Sequence, residues 1–131
     1  RRFVAPVEQA NTLAERFFDA CRSGDVQRIE AMLAQDAVAY SDGGGKVHAA
    51  PRPIVGRHRV ANLLEVGFRK RSTYPGGRLT RTTVNGLPGV VFSVNGEPLH
   101  IFSFAAENGV VREVYIVMNP DKLERWPSES L

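Results

Sequence analysis

The run from Arg78 to Met118 constrains the fold more than any other stretch of the chain. It contains four segments rich in β-branched and aromatic residues: Arg78–Val84, Gly89–Val94, Leu99–Ala105 and Val110–Met118. Between them stand Asn85-Gly86, Asn95-Gly96 and Asn108-Gly109. Asn-Gly between such runs is the strongest short hairpin signal, because both central residues of a type I′ turn need a positive φ. Three such turns in succession predict an antiparallel meander. A meander buries one face, so the earlier half of the chain must supply its cover.

That half reads as helices. Pro6 suits the first turn of a helix, where its missing N–H costs nothing. From Val7 to Arg22 the apolar residues Ala10, Leu13, Ala14, Phe17, Phe18 and Cys21 recur at spacings of three and four, an amphipathic pattern. Gly24 is suited to a left-handed C-cap, and Asp25 to capping a second helix, Val26–Leu33. Asp36–Tyr40 alternates and reads as a strand, with Val47–Ala49 returning as a second. Pro51 and Pro53 bar regular pairing and force an extended connection. A third helix, Arg57–Arg71, carries the stripe Val60, Leu63, Leu64, Gly67 and Phe68. The predicted order is α-α-β-β-α-β-β-β-β. Such a chain folds as an α+β cone: a curved antiparallel or mixed sheet, covered by about three helices, around an internal pocket.

At 131 residues the chain suits one domain. The expected layout is a linker end over 1–6, the domain over 7–126 and a tail over 127–131. No apolar run approaches the ~18 residues of a membrane span. The single cysteine, Cys21, has no intramolecular partner for a disulfide, which favours a reducing cytosol and a cytoplasmic protein. The net charge of +3 hides an uneven distribution. Residues 52–81 hold eight Lys or Arg against one acid, Glu65, leaving +7 there and −4 over the rest. The simplest reading of this band is a solvated helix face with its loops. No helix-turn-helix pattern or aromatic interleaving accompanies it, so protein contact is a better use for it than DNA.

The element order, with Phe17-Phe18-Asp19-Ala20 and then Gly24-Asp25 ahead of Leu33, resembles the SnoaL-like group of the nuclear transport factor 2-like superfamily. Two strings narrow the resemblance: Asp42-Gly43-Gly44-Gly45-Lys46 and Asn119-Pro120-Asp121-Lys122-Leu123. Both are similar to signatures of extracytoplasmic-function RNA polymerase sigma factors that carry a C-terminal SnoaL-like extension, the SigJ-like type. Arg1-Arg2-Phe3 resembles the linker that follows sigma region four. The chain departs from the full pattern in having no region two or region four. The resemblance implies a regulatory extension acting in cis, with region two, region four and the RNA polymerase core as partners. No direct DNA contact, no membrane association and no cofactor are expected, and a homodimer and a small pocket ligand stay open.

The two strings also have readings of their own. Asp-Gly between strands needs only a hairpin, but three consecutive glycines flanked by opposite charges allow close backbone approach by another chain. Asn119 and Pro120 start a short helix to about Trp126, with Leu123 and Trp126 on one side as a lid. The lid reading needs no partner; docking or release of such a helix would make it a switch. The pocket candidates are Phe17, Tyr40, His48, His100, Phe102, Tyr115 and Trp126. A cone-fold isomerase or cyclase needs a base and an oxyanion donor, and His100 with Tyr115, or His48 with Tyr40, fits that description. Alternation puts His100, Phe102 and Phe104 on one face of their strand without saying which face is inside. A lone strand histidine is usually structural, and the carboxylates Glu97, Glu107 and Glu113 do not converge. His48, His58 and His100 lack metal-ligand spacing. The expectation is therefore a regulator with no catalytic residue. A small-molecule enzyme or sensor is the alternative, and a dimeric binding module a third.

Overall fold

The structure is a computed structural model and describes residues 7–42 and 52–118. Three helices, α1 (Val7–Ser23), α2 (Val26–Met32) and α3 (Arg57–Ser72), lie with six strands: β1 (Leu33–Asp42), β2 (Ile54–Val55), β3 (Gly77–Val84), β4 (Leu87–Val94), β5 (Glu97–Glu107) and β6 (Val110–Met118). The strands form one curved sheet in the order β2-β1-β6-β5-β4-β3. β3 to β6 are the expected meander, and each of its turns is an Asn-Gly pair with both residues at positive φ, such as Asn85 at 49° and Gly86 at 81°. β1 joins β6 in parallel, which makes the sheet mixed.

Local chemistry explains the helix boundaries. Asp25 caps α2 by accepting hydrogen bonds from the N–H groups of Gln27 and Arg28, and Gly24 takes the left-handed conformation, φ 80°, between the first two helices. Leu33, expected as the last helical residue, is extended instead, with φ −98° and ψ 146°. It begins β1, where its side chain is fully buried. The proline-bounded connection also differs from expectation. Ile54 and Val55 pair with Ala39 and Val38 as the two-residue β2, because Pro53 removes only its own N–H. The expected strand Val47–Ala49 lies outside the described residues, as does the helix to Trp126.

All three helices pack on one face of the sheet. Phe17, Phe18 and Cys21 of α1, Ile29 of α2, and Val60, Leu64 and Phe68 of α3 meet Phe102 and Phe104 of β5 and Val114 and Ile116 of β6. Phe17 meets Phe104 edge-on with ring centroids 4.8 Å apart, and Phe68 lies 5.2 Å from Phe102. The ring contacts add ~0.5–1.5 kcal/mol each to the burial term. A register shift against β4, with Leu99 as the extra residue opposite Phe92/Ser93, interrupts the alternation of β5, and a second, opposite Ala105/Ala106, leaves Arg112 as the extra residue of β6. As a result the consecutive residues Leu99 and His100 are both buried.

Candidate functional site

The unusual chemistry lies between the last turn of α3 and the middle of the sheet. Arg71 and His100 are both fully buried, the one on α3 and the other on β5. Arg71 is on the apolar stripe of its helix, four residues after Gly67 and three after Phe68. Its Nε–H donates to His100 Nδ1 at 3.0 Å, and Nη1 donates to the carbonyl of Gly67 at 3.0 Å. The guanidinium carbon lies 4.9 Å from the centre of the Phe102 ring and 5.8 Å from that of Phe92. His100 stacks on Phe92, with centroids 5.4 Å apart. The turn after α3 closes tightly beneath this cluster. A Cβ on Gly77 would lie 2.9 Å from both the Arg71 carbonyl oxygen and the Phe92 ring, so only glycine fits there.

This geometry fixes the proton inventory. Nδ1 of His100 accepts a bond, so the neutral ring carries its hydrogen on Nε2. Burial, followed by the charge of Arg71, holds the His100 pKa down at about 3. Burial also lowers the Arg71 pKa, to about 9, which still leaves it a cation at neutral pH. A general base works best with a pKa near the operating pH. His100 is far below that range, and its Nδ1 lone pair is engaged by Arg71. The couple is built to hold a fixed cation and a neutral imidazole inside the fold rather than to exchange protons.

The other pocket candidates divide between the two faces of the sheet. Phe17 and Phe102 lie with His100 on the helix side. Tyr115 pairs with Ser103 and Tyr40, residues of the opposite face. There Tyr115 stacks on Tyr40 at 5.4 Å and donates its hydroxyl to Glu113 Oε1 at 2.7 Å. The sheet therefore separates His100 from Tyr115, and the expected base–donor pair does not form. Tyr40 is likewise not an interior residue. His48 and Trp126 lie outside the described residues. So do Gly43–Lys46 and Asn119–Leu123, while Asp42 is described as the last residue of β1.

On the helix side, where these candidates sit, Phe17, Phe102, Phe104 and Met118 are all nearly or fully buried. Among the described residues, a hollow of about 80 Å³ lies at the far end of β5 and β6, lined by Ala105, Ala106, Glu107, Arg112 and Glu113. That is well below the ~300 Å³ at which ordinary ligand pockets begin. Among the described residues no group of three or more His, Cys, Asp and Glu side chains could hold a metal ion. Burial pushes the Cys21 thiol up, away from the thiolate that nucleophilic chemistry needs. No described helix is long and apolar enough to cross a membrane.

The sequence reading overlooked two features. Composition places Arg71 in the solvated basic band, whereas its position on the stripe after Gly67 and Phe68 signals burial. The second is a surface cluster in which His58 Nδ1 meets Glu30 Oε2 and Asn62 Nδ2 contacts His58 Nε2 at 3.1 Å. It joins α2 to α3, and no sequence spacing signals it.

No protein-family model and no curated protein matches the sequence. Solved structures do match it in fold. The extracytoplasmic function sigma factor SigJ of Mycobacterium tuberculosis superimposes with a TM-score of 0.64 and 24% identity over 91% of this chain. The matched chain is more than twice as long, since only 45% of it is covered. A steroid delta-isomerase from Pseudomonas aeruginosa gives a TM-score of 0.61 at 14% identity, covering 94% of this chain and 89% of that one. An NTF2-like protein of unknown function from Cytophaga hutchinsonii gives 0.56 at 11% identity, with 93% and 99% covered. At these identities the likeness is one of fold. Three helices on a curved six-stranded mixed sheet form the NTF2-like cone, an architecture found both in a sigma factor and in isomerases.

Proposed function

We propose that this chain is the SnoaL-like regulatory extension of an extracytoplasmic-function sigma factor, acting in cis on transcription initiation in the cytoplasm. Its partners are regions two and four of the same protein and the RNA polymerase core. The strings Asp42–Lys46 and Asn119–Leu123 make the contact, and the terminal segment through Trp126 holds the domain in its closed arrangement. The observation that carries the reading is the parallel pairing of β1 with β6. Asp42 is in register with Val117, so the chain leaves both strands at the same end of the sheet, directly before each string. Two segments with partner-contact signatures thus start side by side. The likeness to SigJ over 91% of this chain supports the link to a sigma factor.

The test is transcription from a cognate promoter by the full-length sigma factor that the reading implies. One variant carries Gly44→Ala with Lys46→Ala, and a second stops after Met118. Both are expected to change promoter output at least several-fold. Unchanged output in both, with native circular dichroism, overturns the proposal. A small-molecule enzyme or sensor remains the second reading, because the fold is shared with a steroid delta-isomerase. The depressed pKa of His100 and the engagement of its Nδ1 by Arg71 count against it.

A further inference from the structure

β3 is an edge strand. It pairs with β4 on one side, and among the described residues no strand pairs with it on the other. Its sequence, Gly77–Val84, contains two arginines, three threonines and no acid. Leu79 packs into the core, so strand alternation puts Arg81 on the helix side and Arg78 and Thr80 on the opposite face. Arg81 reaches the ring of Phe18, its guanidinium carbon 5.7 Å from the centroid, and Arg22, in the last turn of α1, reaches the same ring at 5.1 Å. Both arginines are exposed, whereas Phe18 is 5% exposed. No carboxylate lies within ion-pair distance of either among the described residues.

Like charges focused on one ring repel each other, and their separation is within about one Debye length. The α1 dipole accounts for Arg22 alone, since a helix C-terminus favours a cation. Charge on an edge strand accounts for Arg78 and Arg81 alone, because it deters indiscriminate pairing. Neither explains why Arg22 and Arg81, from different elements, converge. An incoming anion explains all three arginines. Alternate residues of an extended strand share one face, so one face can offer carboxylates to Arg22 and Arg81 while a neighbouring residue on the other face meets Arg78. The same charge that rejects apolar and basic strands selects an acidic one.

We propose that the edge of β3 left unpaired among the described residues, with Arg22 and Arg81 beside it, is a docking surface for an extended acidic polypeptide segment, which adds to the sheet as a further strand. Backbone pairing along 77–84 supplies the contact area, and the arginines supply the choice of acidic residues at alternate positions. A single-stranded nucleic acid is a poorer occupant. It needs exposed rings for base stacking, and the aromatic here lies beneath the arginines. The surface is independent of the sigma-factor reading and of its two strings.

The experiment uses the 131-residue chain and a labelled peptide, Thr-Glu-Val-Glu-Glu-Glu-Val-Thr, which carries carboxylates on both faces of an extended strand, with an eight-nucleotide oligothymidine as the other macromolecule. Binding is followed by NMR and by amide exchange. The peptide is expected to bind below about 1 mM and to protect amides within 77–84. Arg22→Gln with Arg81→Gln should weaken it about tenfold, the loss of a charge-assisted contact. Arg78→Gln, which leaves Phe18 untouched, should weaken it about threefold and covers the case in which the double variant unfolds. Arg59→Gln, at the other end of α3, should change it less than twofold. No binding, protection elsewhere, equal weakening by Arg59→Gln, or tighter binding of the oligonucleotide each overturns the proposal.

Discussion

On the helix side of β5 and β6, Arg71 and His100 are fully buried among the rings of Phe92 and Phe102. On the other side of the same two strands Tyr115 stacks on Tyr40, its hydroxyl bonds Glu113, and Val117 is 44% exposed. Both faces combine aromatic rings with polar groups, but solvent reaches only one of them. Charge is therefore costly to change on the helix side and cheap to change on the other. The contrast separates structural polar groups from surface ones, and it argues against a catalytic pair divided by the sheet.

Truncation should show the largest difference between the faces. Phe102 is 1% exposed and touches both Phe68 and Arg71. Phe102→Ala is expected to cost about 3–5 kcal/mol by urea unfolding, through lost transfer energy and a residual cavity. Val117→Ala, on the open face, is expected to cost less than about 1 kcal/mol. Equal losses would mean that the open face is covered in solution, and the contrast between faces would fail.

Acid should sharpen the comparison next. The pKa of His100 falls from an ordinary 6.5 to about 3 on folding. Between those values the unfolded chain binds more protons than the native one, so stability rises with pH and is lost as pH drops from 6.5 toward 3. The slope approaches about 1.4 kcal/mol per pH unit for this one group. His100→Gln keeps an acceptor for Arg71 without a titrating ring, and it should flatten the stability profile between pH 6.5 and 5. A profile identical to that of the parent protein would show that His100 is not the group protected from protonation.

Particular residues show how much of this was legible in the sequence. The Asn-Gly turns specified the meander, because their need for positive φ is local and no packing overrides it. The faces were less legible. Period two placed His100 with Phe102 and Phe104, and Tyr115 with Val117, but it could not orient either set toward the helices. The register shift near Leu99 further buries neighbours that alternation would set on opposite faces. Arg71 was missed because composition groups it with seven other basic residues, whereas helical phase groups it with Phe68. The parallel join of β1 to β6, which sets Asp42 beside Val117, is a long-range pairing with no local signature.

The smallest expected effect concerns the open face. Tyr115 donates to Glu113 Oε1 across 2.7 Å, but the two residues are only partly buried and lie two apart on one strand. Water can replace either partner there, so the bond contributes near the lower end of the usual ~0.5–1.5 kcal/mol. Tyr115→Phe leaves the ring that stacks on Tyr40 and removes only the hydroxyl. It should lower stability by about 0.5 kcal/mol in urea unfolding without shifting the acid limb set by His100. A loss several times larger would mean that the hydroxyl is shielded from water. The open face would then hold its polar groups as tightly as the helix side, and the distinction between structural and surface polar groups would no longer follow from the sheet.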